Sequence, residues 1–148
     1  MSKVRRVAVR GIIFKDGKLF AQVLKKKEGK EDFWCTPGGG LGNGESITDG
    51  LHREMIEETG VAPKIGRLLM VQQFTHNNAE QMEFFFHIEN AEDYEGIDIS
   101  TTSHGNIEIH DFGFIDPHEE NILPKDLQTL DIQGLIDSIK PPVIINEL

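Results

Sequence analysis

Residues 37–61 read PGGGLGNGESITDGLHREMIEETGV, a glycine-rich turn that runs into a short amphipathic helix. Successive helical side chains stand about 100° apart, so Glu54, Glu57 and Glu58 share one arc of roughly 100°. Ile47, Leu51 and Met55 form an apolar stripe at i, i+4, i+8 spacing. The two arcs overlap, because Glu58 points roughly between Ile47 and Leu51. The acids therefore sit at the margin of the buried face. Ser46 reads as the N-cap with Asp49 at N3, Gly60 as a left-handed C-cap, and Pro63 prevents resumption. Gly50 inside the helix costs about 1 kcal/mol relative to alanine, which implies close packing against the sheet or the glycine loop.

Like charges at these spacings repel, and they crowd a helix C-terminus where the dipole disfavours each anion by about 0.3–1 kcal/mol. Repulsion and partial desolvation raise carboxylate pKa values unless a cation sits among them. A hard divalent ion with oxygen ligands relieves all of these costs together. Three glutamates alone also read as a solvated acidic face; the glycines and the spacing are what set this stretch apart.

Gly39, five residues, Glu45, seven residues, then REMIEETGV at 53–61 resembles the signature of the Nudix hydrolases. Every fixed position is filled, with Met55 as an acceptable apolar filler, and Pro37 and Gly38 are similar to the family's lead-in. The match covers 23 of 148 residues. The resemblance implies an α/β architecture, the Nudix fold, with a mixed β-sheet sandwiched between α-helices. It implies a metal-dependent hydrolase that cleaves the pyrophosphate linkage of a nucleoside triphosphate or nucleotide sugar by water attack on phosphorus. The implied cofactor is Mg²⁺, with Mn²⁺ as a substitute, and the implied partner is a small nucleotide-type diphosphate.

The same resemblance implies Glu54, Glu57 and Glu58 as metal ligands, along with the Gly38 carbonyl. Glu54 is open as either a ligand or the base that orients water, and Glu54, Glu57 and Arg53 form the expected catalytic set. Arg53 and Glu45 are expected to pair and tie the loop to the helix, supported by Gly39 and Gly60; the local alternative pairs Arg53 with Asp49 or Glu57 at i±4. A further carboxylate from outside the motif is expected, first Glu108, then Asp111, Glu92 and Glu95. The proline and tyrosine that mark ADP-ribose and dinucleoside polyphosphate hydrolases about 15 residues after the motif are absent, the neighbourhood reading FTHN at 74–77. The extended signature of NADH hydrolases is absent too. The rival reading is a Nudix-fold module that binds nucleotide or protein without turnover; such modules usually erode the glutamate run, which is intact here.

Composition agrees with one soluble globular domain: 148 residues, 38% apolar and 27% charged. A net charge of −10 argues against a nucleic-acid polymer or an anionic membrane as partner. The lone Cys35 permits no intrachain disulfide and fits a reducing interior, as a buried small hydrophobe more than a redox centre. No apolar run approaches a membrane span, and the N-terminal MSKVRRVAVRG lacks a signal-peptide core, so the expected location is cytoplasmic.

Residues 1–140 read as the single domain and 141–148 as a C-terminal tail apolar enough to dock on this chain or to support a homodimer. Residues 4–14 and 18–24 read as one hairpin about Lys15, Asp16 and Gly17, and 68–74 with 82–88 as another. Phe84, Phe85 and Phe86 imply a strand covered on both faces. Residues 89–106 read as a long loop, 107–115 as a strand with Glu108 near its start, and 124–139 as a helix using Leu127, Leu130, Leu135, Ile136 and Ile139. The basic residues Arg5, Arg6 and Arg10 and the lysines of 25–30 read chiefly as solvated charge. His76, His87, His104 and His110 lack metal-ligand spacing, although His104 lies in the loop with a chance of touching substrate. Residues that bind the rest of the substrate are not identifiable at this level.

Overall fold

Arg6, Ala8 and Arg10 alternate with Val7 and Val9, which gives the strand β1 (Arg5–Ile12) two chemically different faces. The computed structural model describes residues 4–148. Residues 1–3, where the expected domain and the basic N-terminal stretch begin, lie outside the described residues. β1 pairs in parallel with β7 (Ala79–Ile88), Val9 opposite Phe84, and antiparallel with β5 (Gly38–Gly40), Val9 opposite Gly39. β7 forms a hairpin with β6 (Ile65–His76) through Asn77 and Asn78, whose φ angles of 51° and 61° suit a two-residue turn. β10 (Val143–Glu147) completes this sheet in parallel with β6, so the tail at 141–148 supplies an edge strand of this fold rather than an appendage to it.

A second sheet is built from β2 (Phe14–Lys15), β3 (Lys18–Leu24), β4 (Trp34–Cys35), β8 (Ile109–Ile115) and β9 (Ile122–Leu123). The first expected hairpin is therefore split. Only Phe14 and Lys15 pair back, with Leu19 and Lys18, because the preceding strand is already committed to the other sheet. Ile12 and Ile13 mark the crossing: both are buried, but in different clusters. Ile12 packs with Leu19, Met70, Phe85 and Ile145; Ile13 packs with Val9, Phe20, Leu51, Met55 and Tyr94. Phe85 belongs to the first cluster while Phe84 and Phe86 pack on the second, which covers β7 on both faces as expected.

The helix α1 (Ile47–Thr59) buries Gly50, Leu51, Met55, Glu58 and Thr59. Ile47, expected in that stripe, is 36% exposed; Gly50, not Ile47, meets the glycine loop, where a Cβ would collide with Leu41. Residues 89–106 are not a plain loop. They hold 3₁₀ turns at Ala91–Tyr94 and Ile99–Thr101 and enter the short helix α2 (Gly105–Glu108). Buried Tyr94 anchors the segment, its hydroxyl donating to Val61 O at 3.1 Å. Glu108 thus ends α2 instead of opening a strand.

The expected C-terminal helix is also broken, into a 3₁₀ turn at Lys125–Gln128 and the helix α3 (Ile132–Asp137). Asp131 caps α3 through Gly134 N, and Arg67 takes the carbonyls of Leu135, Ser138 and Lys140 at its end, so Ile139 falls outside and is fully exposed. No helix among the described residues is long and apolar enough to cross a membrane.

Candidate active site

The glycine loop and α1 touch because the loop has no side chains in the way. Gly38 has φ 143°, and a Cβ there would strike the Val9 carbonyl. A Cβ on Gly39 would lie 2.5 Å from Glu54 Oε2, so the carboxylate rests directly on the loop backbone. The helix is fixed at both ends as its sequence implies. Ser46 Oγ accepts from Asp49 N at 3.1 Å, and Gly60, at φ 76°, donates its N–H to Ile56 O at 2.9 Å.

Arg53 ties loop to helix. It donates twice to Glu45, Nε to Oε2 at 2.7 Å and Nη2 to Oε1 at 2.9 Å, and Nη2 also reaches Gly40 O at 3.1 Å. The i+4 alternative is realised as well: Nη1 donates to Glu57 Oε2 at 3.0 Å and to Glu54 Oε1 at 3.1 Å. One guanidinium therefore holds the loop and two of the three glutamates. The hydrogen bond from Arg53 and a second from Gly42 N hold the Glu45 carboxyl down at about 2. Glu45 in turn heads the contacts that raise the Arg53 pKa.

Glu58 is the buried member, 4% exposed. Gln22 Nε2 donates to its Oε2 at 3.0 Å and Gly38 N at 3.1 Å, yet burial pushes the carboxyl up to about 7 against both. Burial also raises Glu54, with Arg53 opposing. The Pro37 carbonyl pairs with Gly11 N, and the amide of the next residue, Gly38, meets α1 at Glu58.

A cavity of about 560 Å³ opens over these groups. Its lining includes Gly38, Gly39, Gly40, Arg53, Glu54, Glu57 and Glu58, so the structure brings the expected set together. Glu108, the first of the expected outside carboxylates, also lines it. Asp111, Glu92 and Glu95 are not among the lining residues; Asp111 pairs with Lys30 at 3.3 Å and Glu95 with Lys15 at 2.8 Å. His104 does line it, Nδ1 lying 3.1 Å from Glu57 Oε2.

The same cavity is also lined by Arg6, Arg10, Lys25 and Lys26. Arg6, Lys25 and Lys26 are exposed, in keeping with solvated charge, while Arg10 is half-buried and paired with Glu83 at 2.9 Å. The signal was partly in the sequence: Arg6 and Arg10 share strand parity, and Gln22 interrupts an otherwise apolar run from Leu19 to Val23. Which cavity that parity faces depends on strand pairing, which the sequence does not show.

The resemblance implies a divalent cation here, and the donor set fits one in kind: glutamate carboxylates and the backbone of Gly38 line the cavity, their oxygens are hard, and two of the carboxyls are raised by burial. Among the described residues no group of three His, Cys, Asp or Glu side chains is already converged as a metal cage. Arg53 holds Glu54 and Glu57, while Gln22 and Gly38 hold Glu58.

The model of the NUDIX domain matches residues 4–132. The uncharacterized Nudix hydrolase YvcI of Bacillus subtilis is 30% identical over 95 residues, 61% of this chain and 58% of that protein. An ADP-ribose pyrophosphatase of Methanocaldococcus jannaschii is 40% identical over 65 residues, 44% of this chain and 38% of its own length. The chain thus spans less than two thirds of either relative. Among solved structures, that of the E. coli ORF135 protein superposes with a TM-score of 0.70 over 94% of this chain and 95% of its own, at 19% identity, a likeness of fold. With the family model matching most of its length, the chain belongs to the NUDIX family.

Proposed function

We propose that this protein is a cytoplasmic, Mg²⁺-dependent hydrolase that cleaves the pyrophosphate linkage of a small nucleoside diphosphate derivative, a nucleoside triphosphate or nucleotide sugar. One observation carries the reading: three glutamates of α1 line a single cavity together with the cationic side chains of Arg6, Arg10, Lys25, Lys26 and Arg53. A phosphoric anhydride needs both, since its oxygens are anionic and its attacking water must lose a proton. When bound, Mg²⁺ (or Mn²⁺) offsets charge on phosphoryl oxygens and makes a water acidic enough to attack near neutral pH.

Glu57 and Glu58 would hold the ion, with the Gly38 carbonyl and Glu108 as further donors. Glu54 orients the attacking water and takes its proton; its carboxylate is kept in place by Arg53 Nη1 and the bare backbone of Gly39. Arg6, Arg10, Lys25 and Lys26 receive the phosphates. A net charge of −10 opposes a nucleic-acid polymer as the substrate. The ADP-ribose pyrophosphatase relative brings ADP-ribose into the substrate panel, although the proline that marks such enzymes is absent here.

The test is incubation of the protein with Mg²⁺ and nucleoside triphosphates, nucleotide sugars, ADP-ribose and dinucleotides, with products identified by mass. Cleavage to a nucleoside monophosphate that disappears in Glu57→Gln/Glu58→Gln supports the hydrolase. Binding without cleavage by the wild-type protein would favour the non-catalytic module. Glu54→Gln is expected to lower kcat by roughly 10²–10⁴ with little change in KM; unchanged turnover removes Glu54 from the role of base.

A further inference from the structure

A second cavity, of about 470 Å³, adjoins the acidic one and shares Arg6, Arg10 and Leu24 with it. It opens between the two sheets, and its walls include Phe33, Phe74, Phe85 and Leu123. Its polar floor is unusual for such surroundings. Gln72 and Glu83 are each 6% exposed and stand opposite one another on adjacent strands. Gln72 Nε2 donates to Glu83 Oε1 at 2.9 Å, and Arg10 Nε donates to Glu83 Oε2 at 2.9 Å. In register on the other side of Glu83 is Ala8, too small to cover it.

A carboxylate only accepts, so it fixes the Gln72 amide with nitrogen toward Glu83 and the carbonyl oxygen turned away from it. The Gln72–Glu83 pair thus offers acceptors: the remaining lone pairs of Glu83 and the Gln72 carbonyl. Arg10, already bound to Glu83 and to Thr36 O at 3.0 Å, stands where the two cavities join. With Arg6 it can hold the phosphate nearest the organic group of a substrate.

We propose that this cavity takes the heteroaromatic ring of the substrate, stacked against Phe33 and Phe74, and that Glu83 and Gln72 select rings that carry an exocyclic amino group. This rests on the hydrolase reading of the acidic cavity and narrows its substrate to nucleotides of adenine, cytosine or guanine. An amino group has two N–H donors and can serve both acceptors at once. Uracil and thymine have a single ring N–H flanked by two carbonyls, which would set oxygen against Glu83 or Gln72.

The direct test is calorimetric titration of the metal-free protein with AMP, CMP, GMP and UMP, beside the same titrations of Gln72→Leu and Glu83→Gln. The amino-bearing monophosphates are expected to bind roughly 10- to 100-fold tighter than UMP, the effect of one hydrogen bond to a charged acceptor. Each variant is expected to narrow that gap; if Glu83→Gln does not fold, Gln72→Leu decides. Equal binding of UMP, no binding of any monophosphate, or selectivity that survives the variants overturns the proposal. Metal-dependent hydrolysis that ignores the base also overturns it while leaving the hydrolase in place. Selective monophosphate binding with no nucleotide cleaved would keep the pocket and remove the hydrolase.

Discussion

Burial raises the Glu58 carboxyl to about 7 even though Gln22 Nε2 and the Gly38 amide both donate to it, so its charged form depends on those two donors. Gln22→Leu removes one of them. Loss of such an outer partner typically reduces metal affinity or activity by about 10–100-fold, and steady-state kinetics against Mg²⁺ concentration should show a decrease of that order. Glu45 behaves in the opposite sense. Its folded pKa, about 2, lies below the ordinary 4.5, so its contribution to stability is present above 4.5 and is lost as pH falls through 2. Thermal midpoints of the wild type should therefore fall across that window relative to Glu45→Gln, and parallel midpoints would remove the ion pair from the account. For Cys35, burial pushes the thiol up to about 11. Reaction with a thiol reagent at pH 7 should be slow in the folded protein and fast once denaturant is added.

At the scale of elements, α1 and the glycine loop form one device. Gly39→Ala places a methyl where the Glu54 carboxylate now lies. The expected result is a fall in kcat of the order of 10²-fold, the effect of misplacing a catalytic group by about 1 Å, with the helix content by circular dichroism retained. This device was the most legible part of the chain, because caps, periodicity and the spacing of Glu45 from Arg53 are all local. Ile47 was misread because helical spacing gives a face but not what covers it. Residues 89–106 were misread because their few apolar side chains, Ala91, Tyr94, Ile97 and Ile99, sustain neither a strand nor an α-helix period. The early end of α3 is set partly from afar, by Arg67 on β6 taking the carbonyls of Leu135, Ser138 and Lys140.

At the scale of the whole molecule, the strand pairings that create both cavities join residues far apart in sequence. β1 lies beside β7 in parallel, and that pairing aligns Arg6 with Gln81 and Ala8 with Glu83. Alternation shows that Arg6 and Arg10 share a face, but a face acquires chemistry only from the neighbouring strand. The same holds for β10, legible as an apolar tail and not as the partner of β6. Ile145 on that strand is 7% exposed in the first core cluster. Ile145→Ala should cost about 2–5 kcal/mol in denaturant unfolding; no loss would show that the tail is dispensable to the fold. The central claim concerns the acidic cavity. Its most direct test is turnover of the nucleotide panel in ¹⁸O-water, with and without Mg²⁺, by the wild type and by Glu57→Gln/Glu58→Gln. The account predicts ¹⁸O in a phosphoryl product only for the wild type with metal. Label incorporated equally by the folded double variant, or equally without metal, would contradict it.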